Sequence, residues 1–306
     1  MNPSHKKKNV LILGGSGFVG SALSRKLSDA GHQVSIVTRR STAELRALIP
    51  SANWIELAHN SASAREKALA EQDVLINLCA ILHESSSQKF QTVHVDLVAD
   101  WAQSAASAGV GQVLHVSALR ADMDDPPSAY LRSKAAGERA LIGHADALSV
   151  RIFRPSIVFG AGDHFFGQFA GMLKWAPIFP LVCPNARFAP VWVEDVAQAM
   201  VQVMAEGAEP GPARAYDLCG PRNYSFRDLL EFTARAMGHK RLIVGVPDWM
   251  AQLQGRVMQV LPNPIFTLDN YRSLQADNVC SYSHFQDLGI SPASLERIMT
   301  PLLAAK

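Results

Sequence analysis

The sequence predicts an α/β fold, a doubly wound parallel sheet of the Rossmann type with a second, smaller C-terminal lobe. Three observations carry that reading. Short strands of buried type alternate with helix-like runs through the first half of the chain. A glycine-spaced turn, Gly14, Gly17 and Gly20 within VLILGGSGFVG, joins the first strand to the first helix. After Gly160 the texture changes, and Pro177, Pro180, Pro184 and Pro190 punctuate aromatic and aliphatic residues, as suits loops and short elements of another lobe.

Val10–Leu13 is an unbroken apolar run, the pattern of a strand covered on both faces. It enters the glycine turn, where positions without side chains permit a tight bend and close approach of a pyrophosphate to the backbone. The amphipathic run Phe18–Asp29 follows. Its first turn, Phe18, Val19 and Gly20, supplies amide donors for negative charge, so the segment reads as a dinucleotide cradle. The second strand, Val34–Thr38, ends in Thr38, Arg39 and Arg40. A unit built for the unphosphorylated cofactor ends here in Asp or Glu, which accepts from the ribose hydroxyls. Two guanidiniums instead suit a ribose phosphate, so NADP(H) is favoured, with NAD(H) still compatible.

Trp54–Leu57, Val74–Leu78, Val113–Val116 and Ser149–Phe153 continue the strands, with helix-like runs near 18–30, 64–72, 89–108 and 130–146. Right-handed crossovers in such a sheet place ligands at the carboxyl ends of its strands. The VWVEDVAQAM stretch has a strand-then-helix look and returns residues 190–218 to the large domain. The expected division is therefore 1–159 with 190–218 for the dinucleotide domain, and 160–189 with 219–306 for a smaller substrate or partner lobe. Ser225 and Asp228 form a capping-box pattern ahead of a helix over about 226–237. Asp248–Val260 is the clearest of the later helices.

The chemistry is suggested by Tyr130 and Lys134, four residues apart and so on one face of the expected helix. An ammonium near a phenol favours the phenolate, which lets tyrosine exchange a proton with a carbonyl or hydroxyl as hydride moves to or from a nicotinamide. Lys134 also reaches the nicotinamide ribose in this reading. Ser117, at the end of its strand, either donates to a substrate oxygen or caps the strand locally; the residues leave both open. Phe165, Phe166, Phe169, Trp175, Ile178 and Phe179 give the expected substrate lobe an apolar character, and they equally suit a core.

Bulk properties narrow the classes. The 306 residues are 48% hydrophobic and 18% charged, enough apolar content for a sizeable core and too much for a disordered chain. The net charge of +2 comes partly from Lys6–Lys8, with no basic stripe for a nucleic-acid backbone. Cys79, Cys183, Cys219 and Cys280 share no CxxC spacing, which implies free small-hydrophobe roles in a reducing compartment and no metal site. The longest apolar stretch, Val74–Leu82, is interrupted by Asn77 and is too short to span a membrane. The start shows no secretory pattern, so a cytoplasmic protein is expected, with peripheral docking on a membrane complex compatible. Monomer and dimer both stay open.

These motifs together resemble the short-chain dehydrogenase/reductase superfamily in its extended or atypical branch. The residues concerned are Gly14–Gly20, His115-Val-Ser117, Tyr130–Lys134, Arg154–Gly160 and Pro190-Val-Trp-Val-Glu-Asp195. More narrowly, SALRAD…SAYLRSKAAGE, FRPSIVFGAGDHFF and DNV…LGISPASLERI are similar to bacterial relatives of the nucleotide-binding accessory subunit of respiratory complex I. The resemblance implies that Gly14, Gly17 and Gly20 form the pyrophosphate loop and that Arg39 with Arg40 reads the phosphate. It places Ala80 beside the adenosine ribose, Pro155 and Ser156 near the nicotinamide, and Asp195 as a structural acceptor between lobes. It implies an NAD(P)(H)-binding protein with reductase or dehydrogenase chemistry on a carbonyl or hydroxyl compound, which the aromatic residues above make an apolar one, or with a respiratory-complex component as partner. A reductase of steroid-like or isoprenoid-like substrates is one alternative. A nucleotide-sugar epimerase or dehydratase and a non-catalytic redox sensor or assembly factor are the others. There are two departures from the family pattern, the first weakening an intact proton relay and the second permitting binding but altering adenine recognition. His94 stands where the family has asparagine, and Leu57-Ala58-His59-Asn60 lacks the acid often found after the third strand. At His94, local satisfaction of backbone is the favoured role.

Overall fold

The computed structural model describes residues 7–39, 43–57, 59–250 and 266–305. The chain forms two compact units, the first made of Met1–Ser117, Ser133–Arg154 and Val196–Tyr216. Its elements run β1 (Asn9–Leu13), α1 (Phe18–Asp29), β2 (Gln33–Thr38), α2 (Ala43–Leu48), β3 (Asn53–Glu56), α3 (Ala62–Leu69) and β4 (Val74–Asn77). A π-helical turn (Gln91–Asp96) leads into α4 (Leu97–Ser107), followed by β5 (Gln112–Val116), α5 (Ala129–Ile142) and β6 (Ser149–Pro155). The predicted helix over 89–108 thus begins as a wider π turn. The sheet order is β11-β6-β5-β4-β1-β2-β3, where β11 is Arg214–Leu218.

Consecutive strands from β3 to β6 pair in parallel, for example Leu11 opposite both Ser35 and Leu75. The strand order reverses between β1 and β4, which opens a crevice at their carboxyl ends, the usual ligand position in such sheets. The central strands are apolar on both faces because helices cover both, and Val10, Leu11, Ile12, Val74 and Ile76 are all buried. On one face Leu11, Leu75, Val113 and Val150 pack with Trp101 and Ala105 of α4.

The second unit comprises Ala118–Arg132, Pro155–Asp195 and Asp217–Lys306. It contains β7 (Val158–Phe159), α6 (His164–Trp175), β8 (Ile178–Leu181), β9 (Arg187–Phe188), β10 (Val191–Trp192) and the start of α7 (Val193–Ala205). Then come β12 (Tyr224–Ser225), α8 (Phe226–Ala236), β13 (Leu242–Gly245), α9 (Leu268–Ser273) and α10 (Leu295–Ala304). The strands join as short pairs, β10 with β7, β12 with β9 and β13 with β8. Asp163 caps α6 by accepting from the Phe166 amide at 2.6 Å. At α8 the predicted capping box forms, Ser225 and Asp228 each accepting from the other's backbone N–H.

The aromatic run divides. Phe166 is fully buried, edge-on to Phe159 and Phe232, while Phe165, Phe169 and Phe179 pack partly buried against the same core. Trp175 and Ile178 face outward instead. The cysteine expectation is corrected. Cys219 and Cys280, 61 residues apart, form a disulfide, while Cys79 and Cys183 are free thiols. Sequence spacing carries no trace of this pairing, because the segment 277–280 is brought in by the bridge of Phe188 with Asn278 and by Arg120, which donates to Asp277 O and Val279 O. Of the predicted Asp248–Val260 helix, residues 248–250 are helical and the rest lies outside the described residues.

Two glycine substitutions test the packing with opposite signs. A Cβ at Gly20 would overlap the Gly14 carbonyl oxygen and press on Gly15 Cα at 2.7 Å, backbone atoms that cannot rotate away. Gly20→Ala is therefore expected to destabilise by roughly 1–3 kcal/mol. Gly171 lies exposed within α6, and a Cβ there meets nothing within 4 Å. Gly171→Ala is expected to raise stability by roughly 0.5–1 kcal/mol. Urea unfolding midpoints check both.

Candidate dinucleotide and proton-transfer site

At the exit of β1, Gly14 takes φ +77, a left-handed conformation that favours glycine, and its carbonyl accepts from the Gly17 amide at 3.0 Å. This closes the turn and starts α1 with Gly17 as an extended N-cap that has no side-chain acceptor. Ser21 is the first amide to reach back, to Gly17 O at 2.8 Å. The amides of Phe18, Val19 and Gly20 are left by helix geometry without intrahelical acceptors. No acid stands in this first turn, so the positive end of the helix dipole is uncompensated. Donor set, dipole and side-chain-free turn fit a pyrophosphate.

The neighbouring strand ends lie along the same edge of the sheet. Arg39, directly after β2, is exposed, and Arg40 lies outside the described residues. Ala80, after β4, is exposed. Asn77 shapes that exit, its Oδ1 accepting from the Cys79 amide at 3.0 Å and its Nδ2 lying 3.3 Å from His115 Nδ1. Burial pushes the Cys79 thiol up to about 11, opposed by the positive charges of Lys134 and Arg39.

The Lys134 ammonium is buried and donates to the Val116 carbonyl at the end of β5, at 2.8 Å. Burial lowers its pKa to about 8, opposed by Glu138 one turn along α5. Glu138 in turn accepts from Arg154 Nε and Nη2 at 3.0 and 2.5 Å. Ser117, the next residue after β5, is anchored by its amide to Phe153 O at 2.7 Å. Its Oγ is buried with no hydrogen-bond partner among the described residues, and so is His115 Nε2. His94 takes the local role favoured above. Its Nε2 accepts from the Ile81 amide at 3.0 Å, which leaves Nδ1–H to donate to Ser133 Oγ at 2.8 Å. Burial first and Lys134 second hold it down to about 3, so it is neutral at ordinary pH.

Other expected residues belong to the second unit. The Tyr130 amide donates to Asp269 Oδ2 at 3.0 Å and the Ala129 amide to Oδ1 at 2.6 Å, so one carboxylate from α9 caps α5. Tyr130 stands one turn before Lys134, yet burial pushes its phenol up to about 12 rather than down. Pro155 accepts from the Leu119 amide at 3.2 Å, and the Ser156 amide donates to Leu218 O at 3.0 Å. Ser156 Oγ donates to Asn278 Oδ1 at 2.6 Å and accepts from the Ala189 amide at 3.2 Å. Asp195 accepts from the Ala293 amide at 2.7 Å, a structural acceptor within this unit. Sequence reasoning missed Asp269, Asn77 and Asn278. None sits in a motif, although the D-N-V stretch around Asn278 contributes to the resemblance.

Residues 10–219 match the NAD dependent epimerase/dehydratase family, and the chain belongs to that family. Mitochondrial NADH dehydrogenase (ubiquinone) 1 alpha subcomplex subunit 9 of Mus musculus is 29% identical over 297 residues, 93% of this chain and 77% of the relative. The ceramide reductase of Caulobacter vibrioides is 26% identical over 240 residues, 78% of this chain and 74% of that protein. Among solved structures, UDP-glucose 4-epimerase of Thermotoga maritima with UDP-glucose superposes with a TM-score of 0.73 at 17% identity, covering 96% of this chain and 97% of that one. The dTDP-glucose 4,6-dehydratase DesIV of Streptomyces venezuelae, with NAD bound, gives 0.72 at 19%, covering 96% and 95%. At such identities the likeness is one of fold.

The buried lysine makes stability depend on pH. The folded chain releases the Lys134 proton near pH 8, whereas the unfolded chain keeps it up to about 10.5. Between those values the unfolded state binds more protons, so this group's contribution to stability rises with pH and is least favourable below pH 8. Cys79 and Tyr130, both raised, act with the opposite sign above their unfolded values. The lysine contribution is therefore read as the difference between the parent chain and Lys134→Met. That variant is expected to be more stable at pH 7 by roughly 1–3 kcal/mol, with the advantage shrinking toward pH 10. Urea titrations across this range check it.

Proposed function

We propose that this member of the NAD dependent epimerase/dehydratase family binds NADP(H) in preference to NAD(H) and acts as a reductase or dehydrogenase on an apolar carbonyl or hydroxyl compound. The carrying observation is the carboxyl end of β5, where a buried ammonium on Val116 O stands beside the partnerless Ser117 hydroxyl. A buried hydroxyl without a partner costs free energy unless a ligand completes it. NADP(H), when bound, supplies or accepts the hydride.

The amides of Phe18, Val19 and Gly20 hold the pyrophosphate at the Gly14 and Gly17 turn. Arg39, with Arg40 next in sequence, forks onto the ribose phosphate, and the small side chain of Ala80 leaves room for the adenosine ribose. Lys134 donates to the nicotinamide ribose. Pro155 and Ser156 contribute carbonyl oxygens to the carboxamide, since the Ser156 amide and hydroxyl are already engaged. Ser117 Oγ donates to the substrate oxygen and Tyr130 gives that oxygen its proton. A phenol held up to about 12 is protonated at neutral pH and so is ready for the reductive direction. The ceramide reductase relative supports an apolar substrate by its name. A second reading, a cofactor retained without turnover, is favoured by the upward move of that phenol with burial as its cause.

Calorimetric titration tests the cofactor. Arg39→Ala is expected to weaken NADPH by roughly tenfold or more while changing NADH little, and equal losses for both would make Arg39 a fold residue. NADPH consumption with apolar ketones, quinones and aldehydes tests the chemistry, with UDP-sugars as the arm for epimerisation or dehydration. Tyr130→Phe is expected to lower turnover by roughly 10²–10⁴. Tight NADPH binding with no turnover across the screen would establish the second reading, and full turnover in Tyr130→Phe would defeat the proton-transfer role.

A further inference from the structure

The second unit carries an exposed apolar face on β8 and β13. β8 and β13 pair in parallel with Leu242 opposite Ile178 and Val244 opposite Pro180. Strand alternation turns Leu181 and Ile243 into the core and the four paired residues outward. Ile178 and Leu242 are each 60% exposed, Trp175 at the end of α6 is 82% exposed, and Trp249 just after β13 is 66% exposed. Single exposed apolar residues are ordinary. A paired two-strand face of four outward apolar residues, with Trp175 at the end of the helix that leads into it, is a patch of the kind that marks an interaction surface.

The charges around it have one dominant sign. Across α6, residues 176–184 and residues 240–250, the lysines and arginines are Lys174, Lys240 and Arg241, and the acid is Asp248. Arg241 is fixed in place, its Nε donating to Leu173 O at 2.6 Å and its Nη2 to Lys174 O at 2.9 Å, which sets a guanidinium at the end of α6 beside Trp175. Lys174 and Lys240 are exposed.

We propose that this face docks on the surface of an anionic lipid bilayer. Tryptophan is amphipathic and settles at headgroup depth, which suits Trp175 and Trp249. Ile178, Leu242 and Val244 reach the boundary of the acyl chains, and Lys174, Lys240 and Arg241 meet the headgroup phosphates. Complementarity to an anionic plane needs no directional partner groups, and the outward side of β8 and β13 offers apolar side chains alone. No helix among the described residues is long and apolar enough to cross a membrane, so the proposed mode is surface docking.

Vesicle flotation of the full chain tests this, with equal parts phosphatidylglycerol and phosphatidylcholine against phosphatidylcholine alone. The chain is expected to float with the anionic vesicles, to be released by salt, and to show a blue-shifted tryptophan emission when bound. Trp175→Ser with Ile178→Ser, and separately Lys174→Gln with Lys240→Gln, are each expected to weaken binding by roughly tenfold or more, with thermal midpoints near that of the parent chain. Absence of flotation overturns the proposal, as does flotation of both double variants like the parent. A concentration-dependent dimer abolished by Trp175→Ser, without vesicle binding, overturns it in favour of a contact between copies of the chain.

Discussion

The close approach of α1 to the turn it grows from is the constraint on which the dinucleotide edge depends. Gly20 touches the Gly14 carbonyl and Gly15 with no room for a Cβ, so the helix starts directly behind β1 instead of one side chain away. That contact aims the unsatisfied first-turn amides along the carboxyl edge of the sheet, at the reversal of strand order. The same edge receives Arg39 from β2 and Cys79 from β4. Placement of these groups therefore follows from backbone packing, and the side chains that refine it are few.

A second constraint is electrostatic. Burial first, and the lysine held on Val116 O second, lower both His94 and His115, leaving two neutral imidazoles beside the ammonium. Glu138 is the compensating charge, and the two-toothed pair with Arg154 fixes it below the lysine. The arrangement is costly to stability, because a buried ammonium loses its hydration, and specific in position, because Val116 O and Glu138 fix where the charge sits.

The sheet was largely legible because its signal is local. The strands from β1 to β6 are short and mostly apolar, so pattern alone places them within a residue or two. Helix ends drift, α5 stopping at Ile142 instead of 146, and α2, which buries no residue, gave no periodic signal at all. The turn at Gly14, the first-turn amides and the position of Lys134 were legible for the same reason. At His94 the favoured role was local satisfaction of backbone, and the Ile81 amide does donate to it. Contacts that depend on distant chain segments were illegible. Asp269 caps α5 from 140 residues away, Asn278 holds Ser156 across 122, and Cys280 meets Cys219 across 61. Composition also failed to divide the aromatic run, because Phe166 in the core and Trp175 in water sit on the same helix and differ only in the face they take.

Two of those distant contacts, at Asn278 and Cys280, converge on one stretch of the second unit. The residues just after Ser117 are held by the Leu119 amide on Pro155 O, and Arg120 adopts φ 74, a left-handed conformation uncommon for a residue with a side chain. Its guanidinium answers for that backbone by donating to Asp277 O and Val279 O at 2.7 and 2.8 Å. Segment 277–280 is further fixed by Ser156 on Asn278 and by the disulfide at Cys280, against a small cluster of Leu119, Ala189 and Val279. Five chain segments thus share one set of bonds, and a change in any of them is felt by the others. The dinucleotide edge is built from strands with their own apolar periodicity and from fixed glycines at the turn. This loop set has no such periodicity, so its geometry can change by substitution at Arg120, Asn278 or Cys280 while the sheet stays as it is.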